Sequence, residues 1–289
     1  MTPGWALVLL LSAAPVGAAT RDGIVQDALP PASSAVTPFR WSGDAIQGGL
    51  IRGQAPDGAV LATLDGKPLP IATDGSFIIG FDRDAGPTAQ VEVTMADGRT
   101  LSQTLAVRPR DWRIERIDAP YRAGKTDAEF AAARPAELAQ IVAAREAATD
   151  ATGWQQRFRW PVAGRQSGWF GSQRVYQGKP GGYHSGADVA VPTGTAIVAP
   201  ADGVVILAAQ TPFTLEGHLL MLDHGMGLNS AFLHLSQIDV APGDHVRQGQ
   251  VIGRSGATGR ATGPHLHWSL QWRGAKLDPL LVAGPVPAR

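Results

Sequence analysis

The sequence predicts a mainly β protein with a small N-terminal β-sandwich, a linking α-helix and a C-terminal antiparallel β domain. Short apolar or alternating runs, separated by Asp-Gly and other Gly-rich turns, fill residues 38–109 and return over residues 153–289. This pattern of short apolar or alternating runs between turns is typical of β-strands. Between them, residues 128–148 are rich in Ala, Glu, Leu and Arg, which favour helix. A length of 289 residues fits two domains.

The N-terminus indicates secretion. An apolar run from Trp5 to Leu11, followed by small residues ending at Ala19, predicts a signal peptide over residues 1–19, although no Lys or Arg precedes the run. The alternative is a membrane-anchoring segment, but the run is shorter than the roughly 20 residues that a helical span needs. We therefore expect no stable membrane insertion after signal cleavage. Residues 20–37 contain "LPPASSAVTP" and predict an extended linker.

The β-sandwich is predicted over residues 38–109. Three Asp-Gly pairs, Asp65-Gly66, Asp74-Gly75 and Asp97-Gly98, lie between alternating runs and predict hairpin turns, because glycine accepts a positive φ. No cluster of chemically active residues lies in this segment, which favours a spacer or docking role.

Residues 110–152 are predicted to be a linker that contains the helix. Pro135 suits the first turn of a helix, which would then run from Ala136 to Ala148. Leu138, Ile141 and Val142 are spaced i, i+3 and i+4 and predict one apolar stripe. A helix that binds a partner is the less favoured alternative.

Composition excludes several classes of function. The formal net charge is zero and no basic run is present, which argues against nucleic-acid binding. The chain has no cysteine, which excludes thiolate metal sites and cysteine nucleophiles. Any metal ion must be bound by His, Asp, Glu or water.

Three short stretches contain candidate metal-binding or catalytic residues. His184 and Asp188 are four residues apart, His265 and His267 would share one face of a strand, and His234 lies on an apolar strand. Each stretch alone is more often structural. Together, one carboxylate and two histidines form a ligand set suited to Zn²⁺ with a fourth position for water, and two histidines remain for proton transfer or oxyanion stabilisation. Spacing leaves open whether His265 or His267 is the ligand.

Several ordered segments resemble the lysostaphin (LytM-type) zinc metalloendopeptidases. The segments span residues 160–281 and include "YHSGADVAVPTGTAIVAPADGVV", "LDHGMGLNSAFLHLS" and "GPHLHW". The resemblance implies a metallopeptidase domain over residues 153–289 that binds one Zn²⁺ per chain through His184, Asp188 and His267. It also implies that His234 and His265 are catalytic.

The resemblance further implies a bacterial endopeptidase that hydrolyses peptide bonds in peptidoglycan stem peptides or cross-links, in a family that includes both glycine-bridge and D-alanyl-diaminopimelate cutters. The predicted signal peptide places it in the periplasm or among secreted proteins, and because no Gram-positive wall-anchoring module is recognisable, we expect the D-alanyl-diaminopimelate bond. Peptidoglycan is the expected partner, together with other cell-wall enzymes. Two alternatives are a non-catalytic activator of a cell-wall amidase and a wall-binding adaptor. His224 is expected to be structural, and His218 and His245 are expected at the surface.

Overall fold

A computed structural model describes residues 39–118 and 128–288. The predicted signal peptide (1–19) and the predicted linker (20–37) lie outside the described residues. Strands dominate the described part of the chain, so the predicted mainly β class is confirmed. The described residues belong to one compact unit.

Two antiparallel sheets occupy the N-terminal part. Their strand orders are β1-β2-β5 and β4-β3-β6-β7. The strands are β1 (Arg40–Ser42), β2 (Leu50–Gln54), β3 (Ala59–Leu64), β4 (Lys67–Leu69), β5 (Ser76–Gly80), β6 (Thr88–Met95) and β7 (Thr100–Ala106).

Two of the three predicted Asp-Gly hairpins are present. Asp65 (φ 49°) and Gly66 (φ 74°) connect the paired strands β3 and β4, and Gly98 (φ 84°) lies between the paired strands β6 and β7. The third prediction is wrong, because the strands on either side of Asp74-Gly75 belong to different sheets. There the Asp74 carboxylate accepts a hydrogen bond from the Ser76 N–H, a local turn that lets the chain change sheets.

The C-terminal part is built from shorter strands around one large sheet. The strands are β8 (Ile114–Ile117), β9 (Arg165–Gly168), β10 (Gln173–Tyr176), β11 (Lys179–Tyr183), β12 (Ala187–Ala190), β13 (Ala196–Val198), β14 (Gly203–Ala208), β15 (His218–Asp223), β16 (Leu228–Leu235), β17 (Gln237–Ile238), β18 (His245–Val246), β19 (Val251–Arg254), β20 (His265–Trp272) and β21 (Ala275–Leu277).

The large sheet has the order β18-β14-β15-β16-β20-β12-β9, and β21 also pairs with β20. Its pairs are antiparallel, as predicted. A smaller sheet has the order β13-β19-β17. In the third sheet, β11-β10-β8, strand β8 from the predicted linker is parallel to β10. The segment after residue 110 is therefore part of the C-terminal β structure.

One hydrophobic core connects the N-terminal and C-terminal strands. Phe77 and Ile79 of β5 belong to the same buried cluster as Trp272 of β20 and Leu277 of β21. Polar contacts reinforce this packing, since the Lys276 N–H donates to the Asp82 carboxylate (2.8 Å). The division into a module at 38–109 and a domain at 153–289 stays a prediction.

Two α-helices are described, α1 (Ala128–Glu146) and α2 (Pro279–Ala283), and a 3-10 turn covers Gly153–Gln155. The prediction of a helix from Ala136 to Ala148 with Pro135 in its first turn is wrong, because α1 begins at Ala128 and Pro135 lies inside it. A proline inside a helix removes one backbone hydrogen bond. Anchors on both sides of it hold α1 in place, because Arg134 forms an ion pair with Glu216 and Glu137 accepts hydrogen bonds from Thr214.

These anchors also set which face of α1 is buried. Ile141 and Ala144 are buried in a second apolar cluster, whereas Leu138 is 44% exposed and Val142 is 52% exposed. The predicted apolar stripe is therefore wrong for Leu138 and Val142. Because Arg134 forms its ion pair on the sheet side of α1, Ile141 and Ala144, which follow seven and ten residues later on the same helix face, pack against the sheet. No helix in the described ranges has the length and apolarity needed to cross a bilayer.

Candidate active site

The site is centred on two neighbouring strands of the large sheet. Asp188 on β12 lies directly opposite His267 on β20, and Ala190 lies opposite His265. Leu266 is fully buried in the core, so both histidines project from the other face of β20. The predicted orientation of His265 and His267 is present in the structure.

Three donor atoms converge at this point. Asp188 Oδ1 lies 2.8 Å from His267 Nδ1 and 3.1 Å from His184 Nε2, and the two nitrogens are 3.0 Å apart. A tetrahedral zinc ion with bonds of about 2.0–2.1 Å separates its donors by roughly 3.3 Å. Two imidazoles and a carboxylate in a triangle of nearly that size fit zinc both in donor chemistry and in size.

His184 is oriented by the backbone next to it. Its Nδ1–H donates to the carbonyl oxygen of Trp169 (3.1 Å), which leaves the lone pair of Nε2 facing Asp188. Such a hydrogen bond fixes the tautomer and the ring orientation that a metal ligand needs.

The two remaining histidines of the predicted set are held in the same way. The Nδ1–H of His265 donates to the Gly263 carbonyl and that of His234 donates to the Thr258 carbonyl, each at 2.8 Å. His265 Nε2 lies 3.9 Å from Asp188 Oδ1. The rings of His234 and His265 have centroids 4.9 Å apart. Both imidazoles therefore lie beside the donor triangle with a fixed tautomer, and neither Nε2 forms a hydrogen bond with the described residues.

His234 also has a strained backbone. Its φ of 63° is uncommon for a residue other than glycine, and its N–H donates to the carbonyl of Glu216 (2.8 Å). Strain of this kind costs about 1–3 kcal/mol and persists where the surroundings enforce it. Here the carbonyls of Glu216 and Thr258 hold the backbone and the ring of His234, respectively.

The electrostatics of the site favour an ionised carboxylate at Asp188 and neutral rings at His234 and His267, whereas at His184 burial lowers the pKa but the neighbouring Asp188 carboxylate outweighs it and raises the pKa. Burial raises the pKa of Asp188, but the imidazoles of His184 and His267 beside it outweigh this effect and hold the pKa well below its usual range. Burial lowers the pKa values of His234 and His267, each only 7% exposed. Neutral nitrogens and a charged oxygen are the forms in which these groups bind a metal ion.

A cavity of about 1100 Å³ opens beside the donors. His184, Asp188, Trp169 and Tyr183 are among the residues that line it. The cavity extends to Arg113, Ile114 and Glu115, which lie in or next to strand β8. A segment predicted as a linker therefore forms one wall of the space next to the site.

The structure brings all five predicted site residues together. His224 is fully buried elsewhere, with its ring between the Asp202 carbonyl and the Ser230 hydroxyl, as expected of a structural residue. His245 is exposed, whereas His218 is only partly exposed and donates to the Ala209 carbonyl.

Sequence reasoning missed Trp169 and Thr258. Both orient site histidines through backbone carbonyls, and a backbone role leaves no mark on residue type.

Comparison with known proteins identifies the family. Residues 182–279 match the model of peptidase family M23. The chain is 31% identical to a crystal structure described as a peptidase M23 from Pseudomonas aeruginosa, over 84% of this chain and 96% of that chain, with a TM-score of 0.65. This chain belongs to peptidase family M23.

Two curated relatives match over a shorter region. The peptidoglycan DD-endopeptidase ShyA of Vibrio cholerae is 42% identical over 103 residues, which are 36% of this chain and 24% of ShyA. The DD-carboxypeptidase/endopeptidase Mpg of Neisseria gonorrhoeae is 41% identical over 104 residues, again 36% of this chain and 24% of the relative. The match covers about a quarter of the length of these relatives.

Proposed function

We propose that this chain is a zinc-dependent endopeptidase that hydrolyses peptide bonds in peptidoglycan stem peptides or cross-links. The observation that carries the proposal is the convergence of His184, Asp188 and His267 on one point, with the free nitrogens of His234 and His265 beside it. Membership of the M23 family and the similarity to ShyA and Mpg support the same reaction and substrate.

His184, Asp188 and His267 would hold the zinc ion, with the carboxylate offsetting part of its charge. Bound zinc supplies Lewis acidity, which activates water and polarises the carbonyl of the scissile bond. Two histidines and one carboxylate leave part of a tetrahedral shell open for this chemistry.

His234 and His265 would move protons. Because each ring donates its Nδ1–H to a carbonyl, each neutral ring presents a lone pair at Nε2 toward the reacting groups. That nitrogen accepts a proton from the attacking water. The resulting imidazolium donates from the same atom, either to the oxyanion or to the leaving amine.

We propose the D-alanyl-diaminopimelate cross-link as the bond that is cleaved. The names of ShyA and Mpg describe DD-endopeptidase or DD-carboxypeptidase activity, which concerns bonds between D-centres. Peptidoglycan lies outside the cytoplasm, so we place the protein in the periplasm or among secreted proteins. Contacts with other cell-wall enzymes belong to the same proposal.

Mass spectrometry of digested peptidoglycan tests the proposal. Zinc-loaded protein should convert cross-linked dimers to monomers, whereas His267→Ala and chelator-treated protein should not. His245→Ala, which changes an exposed histidine away from the site, is the matched control and should keep the activity.

Folded, zinc-loaded protein that releases no peptide product would refute the enzyme proposal. Stimulation of a separate amidase by the same inactive preparation would favour the regulator alternative. Cleavage only within glycine bridges would keep the reaction and replace the proposed bond.

A further inference from the structure

We infer that Arg113 forms a carboxylate-binding subsite of the active-site cavity, which selects cross-links that carry a free carboxylate next to the scissile nitrogen. This inference rests on the proposed function. Arg113 belongs to the predicted linker and lies outside residues 182–279 that match the family model. The subsite would therefore be built by a part of the chain that does not supply the metal donors.

The backbone of Arg113 is held against the C-terminal β structure. The next residue, Ile114, begins β8, which runs parallel to β10 with Ile114 opposite Gln173. The Gln173 N–H donates to the Arg113 carbonyl (3.0 Å). These contacts place the side chain at the cavity wall with little backbone freedom.

The guanidinium of Arg113 lies over an aromatic ring beside the donor set. Its central carbon is 4.1 Å from the ring centroid of Trp169, and the Trp169 carbonyl accepts the hydrogen bond from His184. Stacking occupies the face of a guanidinium and leaves its in-plane N–H groups available. Trp169 is 40% exposed, so the stacked pair is open to a ligand.

The charges along the cavity leave Arg113 available for an anion. Glu115 and Arg174 form an ion pair with each other (2.8 Å), and Asp188 is engaged by the site histidines. Within residues 39–118 and 128–288, no carboxylate lies within ion-pair distance of Arg113. A planar guanidinium presenting parallel N–H groups suits a carboxylate, which accepts two of them.

The proposed cross-link offers such a group. The amide nitrogen of a D-alanyl-diaminopimelate bond is attached to a carbon that also carries a carboxylate. A bond inside a glycine bridge has no carboxylate at that position. Recognition by Arg113 would therefore favour direct cross-links over glycine bridges.

The test compares a soluble D-alanyl-diaminopimelate cross-linked peptide with the same peptide amidated at that carboxylate. The affinities of metal-free protein are measured by calorimetry, and kcat/KM is measured on zinc-loaded protein. In the wild type we expect the free acid to be preferred. A charge-assisted hydrogen bond supports a preference of about 10- to 100-fold. In Arg113→Gln the ratio between the two peptides should fall toward one, and Arg113→Lys should give an intermediate ratio.

Arg116→Gln is the matched control, because Arg116 lies on β8, three residues after Arg113, but is not among the residues that line the cavity. It should keep the wild-type ratio. The inference is overturned if the wild type does not distinguish the peptides, or if Arg113→Gln keeps the preference. Preferential binding of the free acid by a protein that hydrolyses neither peptide would leave the subsite standing and refute the proposed reaction. Hydrolysis of both peptides at equal rates would support the proposed reaction and refute the subsite.

Discussion

The substitution Gly168→Ala would displace the carboxylate of Asp188, a proposed zinc ligand, while all three ligand residues stay in the sequence. Gly168 lies opposite Asp188 at the end of β9. A Cβ added there would lie 2.2 Å from Asp188 Oδ2 and 2.7 Å from its Cγ. Since real Cβ atoms almost never approach closer than 3.0 Å, the carboxylate must move by about 0.8 Å or β9 must shift away.

Ligand distances in a metal site tolerate about 0.2 Å, so a shift of this size should weaken zinc binding. Changes in the groups that support metal ligands typically lower affinity or activity about 10- to 100-fold, and we expect a loss in that range. Overpacking should also lower the free energy of unfolding by about 1–3 kcal/mol. The assay is competition with a chromogenic zinc chelator, combined with rates on cross-linked peptide.

Gly86→Ala is the control, because a Cβ there meets no atom within 4 Å and Gly86 has no positive φ. It should match the wild type in zinc affinity and in rate. If Gly168→Ala folds and binds zinc with wild-type affinity, the carboxylate of Asp188 is not the ligand that the geometry indicates.

Three further predictions concern stability and are measured by urea unfolding of metal-free protein. Arg134→Gln should lower the free energy of unfolding by about 2–4 kcal/mol, because it removes the ion-pair partner of the buried Glu216 carboxylate. The control is Arg108→Gln, which breaks an exposed ion pair with Asp44 and should change this free energy by less than about 0.5 kcal/mol. Burial lowers the pKa of His224 from 6.5 to about 4, so between these pH values the unfolded chain binds a proton at this residue that the folded protein does not bind. The free energy of unfolding should therefore fall as the pH is lowered from about 6.5 to about 4, and it should fall less steeply in His224→Gln. Leu277→Ala should lower the free energy of unfolding by about 2–5 kcal/mol. Because the core is shared, the N-terminal and C-terminal strands should unfold in one transition in the wild type and in the variant.

The candidate metal donors could be predicted because their chemistry is carried by residue type. His265 and His267 are two residues apart on a strand, so period-two geometry alone places them on one face. His184 precedes the bend at Gly186 and Asp188 follows it on β12, and their convergence on His267 needed the pairing of β12 with β20. The resemblance to known peptidases supplied what spacing could not, namely which of the two histidines is the expected ligand.

The errors have a different origin. A local rule placed Pro135 at a helix start, but the ion pair of Arg134 with Glu216, 82 residues away, stabilises helix on both sides of the proline. The same contact leaves Leu138 and Val142 exposed. Long-range contacts of this kind override local periodicity, because most helical stability in proteins comes from tertiary contacts. The parallel pairing of β8 with β10 is also non-local, which is why the cavity wall was missed.

Parallel measurement of zinc content and turnover in three histidine variants tests the central claim most directly. His267→Ala should lose both bound zinc and hydrolysis of cross-linked peptide, because it removes one of three convergent donors. His265→Ala and His234→Ala should keep about one zinc per chain and lose roughly 10²–10⁴-fold in rate, as expected for groups that transfer protons. Loss of zinc in His265→Ala with retention in His267→Ala would contradict the ligand assignment. Full activity in His265→Ala or His234→Ala would contradict the catalytic one.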